Sequence, residues 1–175
     1  VNQHPKDSKK SSQGESVETM LEITDPKEKQ AVLNAKAKVK ALSGNPRIVA
    51  TSPAVADICD KLDLDLVGVP KSSVSKIPSR YKKVKKVGLA MSPDMEIVSS
   101  LNPDWILAPS SLETDLKPKF EELKNTEYAF LNLRSVQGMY RSAQELGEIF
   151  GKQQEAEKMT KEFTTFYKSL SLIHI

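Results

Sequence analysis

The sequence predicts an α/β fold: a three-layer, Rossmann-like lobe on a mostly parallel sheet, followed by a long connector helix. Two patterns carry this. Short apolar runs of strand length, at 47–51, 66–69, 105–108 and 128–131, alternate with stretches of helical length. Serine–proline pairs, Ser52-Pro53 and Ser92-Pro93, follow extended segments as helix openers. Strands separated by helical crossovers pair in parallel, with right-handed connections and helices on both faces.

The elements follow in order. Residues 1 to about 25 are Ser, Lys, Gln, Glu and Asp with few apolar groups, and read as a flexible tether. Pro26 to Leu42 is helix-friendly and ends at Ser43-Gly44-Asn45-Pro46. Arg47–Thr51 is a strand, Pro53 to about Leu62 a helix, and Leu66–Val69 a strand. Lys71–Tyr81 has no periodicity and reads as a loop; Lys85–Val87 is a brief extended piece. Pro93–Leu101 reads as a helix, Trp105–Ala108 as a strand, Leu112–Leu123 as a helix and Tyr128–Leu131 as a strand. In Ser135–Phe150, Val136, Met139, Tyr140, Ala143, Leu146, Ile149 and Phe150 form one apolar helical face. A last helix runs from 152 to about 170, and 171–175 read as a truncated tail. The expected units are a tether (1–25), an α/β lobe (26–150) and a connector helix with tail (151–175).

Composition excludes several classes. A chain of 175 residues is long enough for one cored domain. The net charge of +3, with Lys and Arg dispersed apart from Lys82-Lys83 and Lys85-Lys86, argues against a nucleic-acid stripe. No apolar run approaches the ~20 residues of a membrane span. One cysteine, Cys59, rules out an intrachain disulfide and sits in a helical apolar pattern as a core residue. His4 and His174 lie in the terminal segments and build no triad or zinc site. No GxGxxG, P-loop or GxSxG pattern is present, and no carboxylate spacing selects a catalytic pair. Binding is therefore expected rather than catalysis; an α/β hydrolase-like enzyme fragment and a ligand-free interaction domain are the rival classes.

Ligands of open parallel sheets gather beyond the carboxyl ends of the strands. Three features there suit binding. The helix openers Ser52-Pro53 and Ser92-Pro93-Asp94 present N–H groups to an anion, or simply cap their helices. The loop Ile77-Pro78-Ser79-Arg80-Tyr81 joins a guanidinium, a phenol and apolar groups, fit for an amphiphilic ligand with an anionic edge or for a solvated connector. Met91 stands in a turn outside any amphipathic stripe; a thioether there is a soft ligand or a gap-filler.

The block from Val87 to Pro109, with Met-Ser-Pro-Asp-Met-Glu-Ile ahead of Leu-Asn-Pro-Asp-Trp-Ile-Leu, resembles the N-terminal lobe of substrate-binding proteins of iron-compound ABC transporters. Arg47–Ser52 and Asp60–Val69 look like theirs as well. Leu131–Val136 and Gly138-Met-Tyr140 resemble the haem-receptor lipoproteins of Gram-positive bacteria in particular. The likeness covers roughly residues 46–168. It implies haem held in a cleft between two lobes, its iron bound by a Met of the first lobe and a His of the second. Met91 takes the first role; the second lobe is expected outside this chain. Ser52 and Pro53, with Arg80 and Tyr81, would line the propionates or ring edge, and Val55 and Ile77 would add apolar contact. Glu96 would dock on an ABC permease. The resemblance further implies a lipid anchor upstream that holds the protein at the extracellular face of the cytoplasmic membrane; a monomer with no nucleic-acid partner is expected. A ferric-siderophore or cobalamin receptor is the alternative, with Arg80 and Tyr81 as its binding residues.

Overall fold

The computed structural model describes residues 21–173. Strands β1 (Ile48–Ala50), β2 (Gly68–Val69), β3 (Lys85–Lys86), β6 (Trp105–Pro109) and β7 (Glu127–Leu131) form one sheet in the order β3-β2-β1-β6-β7. Every neighbouring pair is parallel. Between β3 and β6 lies a small antiparallel hairpin of β4 (Gly88–Leu89) and β5 (Ser92–Pro93). The helices are α1 (Pro26–Lys40), α2 (Pro53–Lys61), α3 (Met95–Ser100), α4 (Glu113–Glu121), α5 (Val136–Phe150) and α6 (Gln153–Ile173).

The period of two in the central strands makes the three layers. Ile48, Ala50, Trp105 and Leu107 face one side and join a core with α1, α2, α5 and the start of α6. Val49, Ile106 and Ala108 face the other and pack with Val98 of α3 and Leu116 and Phe120 of α4. In register, Ile48 lies beside Trp105 and Ala50 beside Leu107, so each layer is continuous across β1 and β6. Strands covered on both faces carry no polar alternation, which is why these runs read as unbroken apolar segments.

Three segments differ from the sequence reading. Ser92 and Pro93 do not open a helix. They pair with Leu89 and Gly88 in the hairpin, and the carboxylate of Asp94 caps α3 by accepting from Glu96 and Ile97 N–H at 3.0 and 3.3 Å. Val136 is exposed rather than part of the apolar face of α5, because Ser135 caps that helix and leaves its first residue outside the packed turns. The tether expected over 1–25 lies mostly outside the described residues, as do His4 and His174. Its final residues are packed: Leu21 is buried with Phe163, and Ile23 lies against the main core.

The beginning of α6 belongs to the lobe. Ala156, Met159 and Phe163 are buried, and a Cβ on Gly147 of α5 would lie 2.7 Å from the Ala156 Cβ. Only glycine permits that helix approach. Farther along α6, Phe166, Tyr167 and Leu170 are exposed. Among the described residues, no helix is long and apolar enough to cross a membrane.

Candidate functional site

The parallel strands deliver five chain ends to one rim: Thr51-Ser52, Pro70-Lys71, the Gly88–Pro93 hairpin, Ser110–Leu112 and Asn132–Ser135. Met91 stands at the hairpin tip, since Ala90 and Met91 form the loop between Leu89 and Ser92. The hairpin is held at its base. Asp94 N–H donates to the Val87 carbonyl at 2.6 Å, and Lys71 N–H donates to the Gly88 carbonyl at 2.8 Å. Gly88 has φ of +104°, which any side chain would strain. The result is a firm base with an exposed tip.

Met91 is 74% exposed. The other described methionines are packed: Met95 and Met139 lie against the cores, and Met159 is 3% exposed. A thioether normally fills a gap in a core; this one is presented to solvent on a clamped turn. The same rim carries two further exposed apolar side chains: Leu89 (56%) and Val136 (55%). Sequence reasoning passed over Leu89 and placed Val136 on the apolar face of its helix. The available signal was their place directly after strand ends.

Ser52 lies on this rim, 6% exposed, and its hydroxyl accepts from Val55 N–H at 3.2 Å. It caps α2, with the half-buried Pro53 as the first helical residue. Glu96 is exposed in the first turn of α3, close after the hairpin, and forms no ion pair among the described residues.

The other expected contacts are not brought to Met91. Val55 is fully buried in the core beneath α2. Ile77 packs on that same core from the loop. Arg80 and Tyr81 sit in a 3₁₀ turn that precedes β3, so they lie at the amino-terminal rim, opposite Met91. The Tyr81 hydroxyl donates to the Leu64 carbonyl at 2.6 Å, and burial raises its pKa. The Arg80 guanidinium donates to Asp63 and Asp65 at 2.9 Å each and lies over the Tyr81 ring. Hydrogen bonding to Arg80 and the nearby Lys152 lower the Asp63 pKa. These side chains brace the link between α2 and β2.

A cavity of about 530 Å³ opens beside the carboxyl end of β7, lined by Asn132 and Ser135 and by Glu28, Arg141 and Glu145. Burial, and then the Glu28 carboxyl beside it, push the Glu145 pKa up to about 8. Arg141 Nε lies 3.6 Å from Glu28 and has no hydrogen-bond partner among the described residues. Cys59 is inert: burial pushes its thiol up to about 12. Among the described residues no cluster of His, Cys, Asp and Glu could hold a bare metal ion.

The comparisons with known proteins bear on the fold and the family. Residues 48–171 match the periplasmic binding protein family. The high-affinity heme uptake system protein IsdE of Staphylococcus aureus (strain Newman) is 36% identical over 117 residues, 67% of this chain and 39% of that protein. An ABC transporter substrate-binding protein from Listeria monocytogenes EGD-e superposes with a TM-score of 0.66 at 44% identity, over 70% of this chain and 46% of the other. The crystal structure of S. aureus IsdE complexed with heme gives 0.67 at 32% identity, over 72% and 48%. The siderophore-binding protein FhuD from Vibrio cholerae shares the fold, with a TM-score of 0.60 at 21% identity over 73% and 50%. The chain spans less than half the length of IsdE and of the Listeria protein. IsdE is a heme uptake protein and the Listeria protein a substrate-binding protein of an ABC transporter, neither of them an enzyme, and with a family match over 48–171 this chain belongs to the periplasmic binding proteins.

Proposed function

We propose that this chain is one lobe of a substrate-binding protein that captures haem outside the membrane and hands it to an ABC permease. The carrying observation is Met91: an exposed thioether at the tip of a clamped hairpin, on the ligand rim of the sheet. Haem iron takes a thioether as an axial ligand. Leu89 and Val136 offer apolar surface on the same rim, and burial of porphyrin area supplies about 25 cal/mol per Å² before association costs. The similarity to IsdE, a heme uptake protein, supports the same ligand.

The rest of the receptor follows from this reading. A second lobe outside this chain would supply the other axial ligand and close over the ring. Glu96, exposed beside the hairpin, would meet a basic residue of the permease. A lipid anchor upstream would hold the monomer at the extracellular face.

Titration of haemin into the full receptor tests the proposal. Met91→Ala is expected to weaken binding and shift the Soret band. An unchanged band and affinity would overturn the role of Met91. Tight binding of a ferric siderophore with no response to haemin would overturn the ligand.

A further inference from the structure

Charge is distributed unevenly along the chain. The segment between Asp65 and Asp94 holds seven of the 26 Lys and Arg and none of the 23 Asp and Glu. The remainder of the chain is therefore net negative. In the fold this segment forms the β2–β3 edge of the sheet, and β3 is the edge strand. Arg80 is neutralised by Asp63 and Asp65. The other cations, Lys71, Lys76, Lys82, Lys83, Lys85 and Lys86, are all exposed, and none forms an ion pair among the described residues.

Lysine on an edge strand discourages edge-to-edge pairing, which accounts for Lys85 and Lys86. It does not account for Lys82 and Lys83 ahead of the strand, or for Lys71 and Lys76 in the preceding loop. Successive strand residues point to opposite faces, so the charge of Lys85 and Lys86 wraps around the edge.

We propose that this edge is a docking surface for anionic phospholipid headgroups. It rests on the reading above only in placing the chain beside a membrane. The composition of the patch favours a lipid surface over an acidic protein. Its free cations are all lysines, point charges suited to diffuse attraction, while the one guanidinium able to fork onto a specific carboxylate is sequestered. Between Lys71 and Lys76 lies Val74, 94% exposed, an apolar group flanked by cations as at a membrane interface. Docked by this edge, the sheet would stand beside the bilayer with its ligand rim along the surface.

Co-sedimentation of the chain with phosphatidylglycerol vesicles and with phosphatidylcholine vesicles tests this. Binding is expected to the anionic vesicles alone, with release at about 0.5 M NaCl, where the screening length falls to a few ångströms. Changing Lys82, Lys83, Lys85 and Lys86 together to Glu should weaken it by on the order of a hundredfold or more. The same positions changed to Gln should give a smaller loss, with the fold of each variant checked by circular dichroism. Lys40, Lys117, Lys119 and Lys124 changed to Glu, an equal charge change elsewhere, should retain most of the binding. Absence of vesicle binding, or equal loss in both reversed variants, would overturn the proposal. So would retention on immobilised poly-glutamate without vesicle binding, which assigns the edge to an acidic protein. Haemin titration of the reversed variant reads the ligand separately, and affinity is expected to be unchanged.

Discussion

The backbone N–H of Lys71 donates to the carbonyl oxygen of Gly88 at 2.8 Å, joining the loop after β2 to the hairpin that carries Met91. That bond and the positive φ of Gly88 make the presentation of the thioether a property of the fold. Gly88→Ala places a Cβ 3.1 Å from Asp94 N in a conformation that L residues avoid. It is expected to cost about 1–2 kcal/mol in urea denaturation and to weaken haemin binding with Met91 intact. Unchanged stability would show that the hairpin does not depend on this conformation.

The methionines separate binding from folding. Met91→Ala is expected to alter stability by less than about 0.5 kcal/mol, because the side chain is already in water. Met159→Ala, in the core under α6, is expected to cost about 2–5 kcal/mol. Thermal and chemical denaturation of the two variants side by side checks the contrast.

Tyr81→Phe removes a buried donor and leaves the Leu64 carbonyl without it. A loss of about 1–3 kcal/mol is expected. Haemin affinity should stay at the wild-type level, since Tyr81 lies at the opposite rim from Met91. A selective loss of affinity in a stable Tyr81→Phe variant would place the residue at the ligand after all.

Glu145 makes stability depend on pH. Folding raises its pKa from 4.5 to about 8, so the folded chain holds this proton more tightly than the unfolded chain does. The associated stability is complete below 4.5, declines as pH rises, and is lost above about 8. The facing charges are Glu28 from α1 and Arg141 from the same helix. Denaturation midpoints measured across this range should fall for wild type and flatten for Glu145→Gln. Parallel slopes in the two proteins would remove Glu145 as the cause.

Much of the architecture was legible because burial on both faces leaves a direct mark. Ile48–Ala50 and Trp105–Pro109 are unbroken apolar runs, and α5 keeps Ala143, Leu146 and Ile149 at helical spacing. Local capping chemistry was legible at Ser52, followed by proline in the first turn. At Ser92 the same dipeptide misleads. A serine–proline pair also fits a short extended strand, and the residue that accepts the first free N–H groups of α3 is Asp94.

The site was legible only in part. The alternation of strands and helices, with the residues flanking Met91, sufficed to assign the α/β class, the family resemblance and one exposed candidate ligand, because each depends on neighbours in sequence. Which rim a loop reaches depends on how the strands stack. Only the tertiary structure placed Arg80 and Tyr81 opposite Met91, through bonds to Asp63, Leu64 and Asp65 some 15 to 17 residues away. It also buried Val55 and left Leu89 and Val136 exposed on the rim of Met91. Such contacts between residues distant in sequence leave no periodic trace, so the chain order encodes the elements while their packing decides which side chains remain free to bind.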